Sequence, residues 1–196
     1  MKTRIGEIPE DFSPHQECLT ITLSTGASPE PQRWKSKNLT VDFMAEYFAN
    51  FFPCGPDVTK AGTSRSTARS MIAFAGNEVL ENAVKYNFDP TFPVSIKLRL
   101  RDDSVVFSTD NSVDPAETSR LKTYLQEMIA EDPMTMYLAQ VEKNASSGIG
   151  IDSKIGLLTL RNDYRARLGW ELASRTDQYG HTTATLMTAV QVPLIL

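Results

Sequence analysis

The run from Ser64 to Tyr86, SRSTARSMIAFAGNEVLENAVKY, decides how this chain folds. Ile72, Phe74, Ala75, Val79, Leu80, Ala83 and Tyr86 recur at i, i+3, i+4, i+7 spacing, which predicts a long helix with one broad apolar side laid against a sheet. Its Ala, Leu, Met, Glu and Lys residues lose little rotamer freedom in a helix, and Thr63 or Ser64 supplies a capping oxygen for the first free amides. The stop signal is Asn87, expected as a left-handed cap, followed by Pro90, which cannot extend a helix.

Within that helix Glu78 precedes Asn82 by one turn, so a carboxylate and an amide share a face. Both offer oxygen donors. An amide oxygen can hold a hard cation such as magnesium while a neighbouring carboxylate orients or deprotonates a nucleophile. The alternative is a solvated polar face, because E-x-x-x-N is a short motif.

The rest of the chain limits the function classes. At 196 residues it predicts a single domain with a substantial core, and its 41% hydrophobic and 22% charged content is ordinary for a soluble globular protein. No apolar run reaches the length of a membrane span, and the opening MKTRIGEIPEDF has no secretory core, so a cytoplasmic protein is expected. Cys18 and Cys54 stand alone without C-x-x-C spacing and read as small core hydrophobes. A net charge of -4 without a basic run points away from nucleic acid and towards a protein or nucleotide partner.

Read outward from the central helix, residues 1–17 form a polar arm in which His15 is a surface residue, and 18–196 form the domain. CLTITLS, Cys18 to Ser24, alternates like a strand, a turn at Gly26 to Pro31 follows, and Arg33 to Leu39 is expected to return as a second strand. Thr40 caps a helix from Val41 to Phe52. After the central helix, VSIKLRLR and SVVFSTDNS alternate around Asp102-Asp103 as a hairpin. Pro115 to Ala130 and Met134 to Asn144 read as two helices of a lid-like insert spanning 114–156, in which Met134, Met136 and Tyr137 are candidate partner contacts. A helix from Ile155 to Leu168 stopped by Gly169, then strands WELASRT and TTATLMTAVQVPLI, complete the chain. The order predicts an α+β, two-layer α/β sandwich: a mixed, largely antiparallel sheet with helices on one face. The phosphate-loop patterns G-x-x-x-x-G-K and G-x-G-x-x-G are absent.

This order, with NEVLENAVKY on the long helix, FSTDNS ending the hairpin and KIGLLTLRNDY opening a later helix, resembles the GHKL (histidine-kinase-like) ATPase superfamily. The likeness is strongest to the anti-sigma-factor serine/threonine kinases of bacterial partner switching, and it runs from about Cys18 to the C-terminus. The resemblance implies a histidine-kinase-like ATPase fold, ATP and Mg2+ as cofactors, Asn82 on the magnesium, Glu78 as the base for a substrate hydroxyl, and Asp110 accepting from the adenine amino group. It also implies Gly156 and Leu157 at the phosphates, where Lys154 could pair with a phosphate as a point charge and Gly148 and Gly150 could instead supply the free amides of a displaced lid. Its expected partners are an anti-sigma-antagonist-like protein as substrate, a phosphatase or a sigma factor in the same pathway, and a second copy in a homodimer, with no nucleic acid and no membrane.

The glycine motifs are eroded. Ser112 and Asp114 replace both glycines after Asp110, Lys154 replaces the first glycine of the later motif, and Gly180-His181-Thr182 stands where a G-T pair is usual. Three readings therefore stand: a protein kinase that also sequesters its partner, a catalytically degenerate binding module on the same scaffold, and an unrelated α/β domain whose Glu78 and Asn82 are surface residues.

Overall fold

In a computed structural model of the chain, residues 2–9, 16–24, 30–54, 63–147, 155–176 and 182–194 are described. The expected turn at Gly26 and the segments carrying His15, Gly148, Gly150, Lys154 and His181 lie outside them. The elements run β1 (Lys2–Gly6), β2 (Cys18–Leu23), α1 (Glu30–Ala49), α2 (Arg65–Lys85), β3 (Val94–Leu100) and β4 (Ser104–Val113). A 3-10 turn at Pro115–Glu117 leads into α3 (Thr118–Ala130), α4 (Pro133–Ser147), α5 (Ile155–Asp163), β5 (Arg167–Thr176) and β6 (Thr182–Pro193).

The strands form one open sheet in the order β1-β5-β6-β4-β3-β2. Every pairing is antiparallel, so the expected mixed sheet is corrected to an antiparallel one. Period-2 alternation sorts the two faces. Ile96, Leu98, Phe107, Val190, Leu168 and Trp170 face the helices and are buried, whereas Lys97, Arg99, Ser108, Asp110 and Glu171 share the opposite face. Helix α2 lies over β3 and β4 with α1 packed along it, α3 covers β1 and β5, and α5 packs between α2 and α4. Leu125 and Met128 bury α3 in the same core as Phe48, Ile72 and Trp170.

Several expectations change, and Cys18 and Cys54, read as small core hydrophobes, are both exposed. The segment Arg33 to Leu39 is the first half of α1, not a strand. The buried face of α1 extends back from Val41 through Thr40 and Lys37, and Pro31 is tolerated in a first helical turn because its missing N–H would have had no partner there. The polar arm contributes a strand, because Lys2–Gly6 pairs with β5 and its Lys2 and Arg4 both bind Glu171, at 2.7 and 2.8 Å. Helix α5 stops at Asp163, well before Leu168, as Arg165 turns into the left-handed region at φ 52° and the backbone extends into β5. Asn87 is not left-handed; Tyr86 closes α2 with φ -100°, its N–H donating to the Asn82 carbonyl at 3.0 Å.

Gly169, expected as a helix stop, instead permits a close backbone approach. It pairs with Gly6, whose φ is 72°, and a β-carbon on Gly169 would overlap the Glu7 carbonyl while one on Gly6 would overlap the Leu168 carbonyl. Gly169→Ala is therefore expected to push β1 off the sheet edge and cost about 1–3 kcal/mol. Amide hydrogen exchange checks this: protection should fall across residues 2–6 and stay unchanged in β3 and β4, and unaltered protection at both would contradict the close approach.

Candidate functional site

Helix α2 begins where Ser64 accepts a hydrogen bond from the Thr67 N–H at 3.1 Å. Its buried side is Ala68, Met71, Ile72, Ala75, Gly76, Val79, Leu80 and Ala83, and Glu78 and Asn82 sit half-buried on its flank. Glu78 reaches across to the first turn of α5: a β-carbon on Gly156 would occupy the space its carboxylate fills. A side chain at that position would have to displace the Glu78 carboxylate. The structure thus sets Glu78 against Gly156, with Asn82 one turn further along α2, and Leu157 is half-buried against the core.

The electrostatics of this corner are unusual. Burial raises the Glu78 carboxyl above the usual carboxylate range, the charge of Glu81 adds to the rise, and Lys37 works against it. Lys37, only 4% exposed, ion-pairs with Glu81 at 2.8 Å. A lysine so deeply buried is costly without a partner, so the pair ties α1 to α2. The expected strand over residues 33–39 hid this group; helical phase counted back from Met44 through Val41 would have placed it inside.

Asp110 lies elsewhere. Its carboxylate is exposed on the sheet face opposite the helices and accepts from Ser95 Oγ across the strand at 2.9 Å. Strand β4 pairs in continuous register from Ser104 to Val113 with β6, so no bulge resets the alternation: Phe107, Thr109 and Asn111 take the helix side and Asp110 the other. Asn82 and Asp110 therefore stand on opposite faces of the sheet.

The side chains that replace the glycines are occupied. Ser112, 1% exposed, donates from both its N–H and its Oγ to Asn87 Oδ1, at 2.9 and 2.7 Å, and its Oγ accepts from the Asp89 N–H at 2.8 Å. Asn87 Nδ2 donates onward to the carbonyls of Asp89 and Phe92 at 2.9 and 3.0 Å. Asp114 caps the 3-10 turn through the Ala116 N–H at 2.9 Å. These bonds close a polar lock between the end of α2 and the end of β4. Among the described residues no three His, Cys, Asp or Glu side chains are grouped to hold a metal.

The insert is docked in part. Leu125 and Met128 of α3 are buried, and the Arg161 guanidinium of α5 donates to the Met128 carbonyl and, at 3.4 Å, to that of Glu131. Of the three partner candidates on α4, Met136 and Tyr137 pack on the core while Met134 is exposed. Leu138 and Val141, not singled out from the sequence, extend Met134 into an exposed apolar stripe.

Asn87→Ala removes the centre of the lock and leaves buried groups of Ser112 without a partner, which should lower stability by about 1–3 kcal/mol in urea unfolding. A loss below about 0.5 kcal/mol would show the lock to be incidental. For Glu78 the sign follows from its raised folded-state pKa: the native chain holds this proton more tightly than the unfolded chain, so its contribution is present below the ordinary value of 4.5 and is lost as pH rises through the folded value. Glu78→Gln should accordingly melt higher than the parent at neutral pH, with the gap closing under acid conditions; equal melting across the range would refute the desolvation. Comparison with protein-family models, with curated proteins and with solved structures returns no match for this chain.

Proposed function

We propose that the chain is a histidine-kinase-like (GHKL) scaffold that regulates by sequestering a protein partner and no longer transfers a phosphoryl group. The observation that carries this reading is the position of Asp110. An adenine acceptor and a magnesium ligand on opposite faces of a sheet cannot serve one nucleotide, and Asp110 is bonded to Ser95 while Asn82 lies on the helix side. The closed Asn87–Ser112 lock supports the same conclusion, since it fills with protein hydrogen bonds the region that glycines would keep open. Magnesium also has few oxygen ligands to draw on, because among the described residues no three acidic or histidine side chains are grouped to hold a metal. The partner surface in this reading is the exposed stripe Met134, Leu138 and Val141 on α4, with a small anti-sigma-antagonist-like protein as the occupant.

One observation favours the kinase reading. Glu78 has the raised carboxyl of a general base, and it stands one turn from Asn82 against Gly156. Thermal-shift titration with ATP and magnesium separates the two, because a ligand at 100 times its dissociation constant would add about 2.7 kcal/mol of stability. The binding-module reading expects no shift in the parent and none in Asn82→Ala; a shift in the parent that Asn82→Ala removes would restore the kinase. On the same reading Leu138→Glu should abolish capture of the antagonist-like partner with the fold intact, and capture undiminished by that change would remove α4 from the interface.

A further inference from the structure

Helix α4 is apolar on two sides, which sets it apart from its neighbour. On one side Met136, Tyr137 and Gln140 are half-buried, and the first two pack on the core where α4 rests on α5. On the other, Met134, Leu138 and Val141 are 46%, 53% and 37% exposed, with Ala145 exposed beyond them. Helix α3 has the ordinary make-up of a surface helix: Leu125 and Met128 are buried while Arg120, Thr123, Gln126 and Glu127 meet water. A helix that is apolar on both sides is normally covered on both.

The spacing and the charge of the outer row say what covers it. Met134, Leu138, Val141 and Ala145 stand at i, i+4, i+7 and i+11, the alternation of four and three that makes a seam for another helix. The row is about 17 Å long, or three turns, enough for the ridges of one helix to seat in the grooves of the next. Its surroundings are acidic. Glu131 and Asp132 precede the row and Glu142 lies one turn after Leu138, all three exposed. The N–H and hydroxyl of Thr135, at 2.9 and 3.0 Å, hold Asp132 below the usual carboxylate range, so it keeps its charge at neutral pH. The Arg161 guanidinium is half-buried and donates to the main-chain carbonyls of Met128 and Glu131.

We propose that α4 takes a basic amphipathic helix of a partner protein, laid along Met134, Leu138, Val141 and Ala145 with its lysine or arginine side chains beside Glu131, Asp132 and Glu142. Apolar meets apolar along the seam, and opposite charges flank it. This occupant rests on α4 being the partner surface of the proposed function, and no nucleotide enters into it. A three-turn contact is well below the roughly 800 Å² per partner of a standard interface, so binding through it is weak and reversible.

The test uses two fluorescently labelled, lactam-bridged helical peptides of about four turns, both with leucine at the seam positions, one with lysine and one with glutamate at the flanking positions. Each is titrated with the full chain and read by anisotropy. The lysine peptide should saturate with a dissociation constant of about 100 µM or tighter, the glutamate peptide should bind about tenfold or more weakly, and lower salt should widen the gap. Leu138→Gln should weaken the lysine peptide about tenfold. Glu131→Lys with Glu142→Lys should invert the preference, which a misfolded variant would not do; Asp132 is left in place because it caps the first turn of α4. No saturable binding to the parent, equal binding of the two peptides, full binding by Leu138→Gln, or an unaltered preference in the double variant each overturns the proposal. Where the peptides fail and Leu138→Glu still abolishes capture of the antagonist-like protein, the surface stands and its occupant is not a basic helix. Capture that ignores Leu138 removes the surface itself.

Discussion

The close contact at Gly76 is the constraint on which the architecture rests. A β-carbon there would lie 3.1 Å from Val41 Cγ1 and 3.4 Å from Phe107 Cε1, so three elements, α1, α2 and β4, meet around the one residue of α2 that has no side chain. A glycine in a helix interior costs about 0.5–1 kcal/mol relative to alanine. That cost is offset by bringing α2 down onto β4 and α1 into the groove beside it, which seals Phe48, Ile72, Leu80 and Phe107 from water. From that junction the other helices take the space that remains, α3 over β1 and β5 and α5 against the flank of α2.

The flank of α2 shows how one helix can hold two kinds of chemistry. Its packed side is apolar and uniform, while the half-buried row of Glu78, Glu81 and Asn82 lies where water is partly excluded. Electrostatic effects are larger there than at the surface, as the pairing of Lys37 with Glu81 and the raised carboxyl of Glu78 both attest. Such a corner is suited to a specific contact, with a ligand or with a protein side chain.

Much of the fold was legible in the sequence because the strongest periods coincide with the best-packed elements. The helix from Ser64, the hairpin around Asp102-Asp103 and the last two strands all follow from alternation or 3.6-residue spacing, as does the break between α3 and α4 at Pro133. The failures have local causes. Residues 33–39 carry few apolar side chains, so the helical phase that buries Lys37 is visible only by extrapolation from Val41 and Met44. The strand at Lys2–Gly6 depends on contacts with β5, far away in sequence, and no local pattern announces it. The one-turn spacing of Glu78 and Asn82 is visible in the sequence, whereas the face on which Asp110 lies depends on an uninterrupted strand register, a property of the assembled sheet. The work of Ser112 was hidden for the same reason: its partner Asn87 belongs to a different element.

The place of β1 at the sheet edge bears on how the molecule comes into being. Its first residues pair with Leu172 and Ala173, and Lys2 reaches Glu171 across 169 positions of sequence. During synthesis β1 thus has no partner until β5 has emerged, whereas β3 and β4 can join as soon as their turn is made. The hairpin and the helix packed on it can order early, with β1 zipping onto β5 as a late event, since contacts so distant in sequence carry the largest loop-closure cost. Until then β5 presents a temporary open edge, and the charges of β1 are what finally close it.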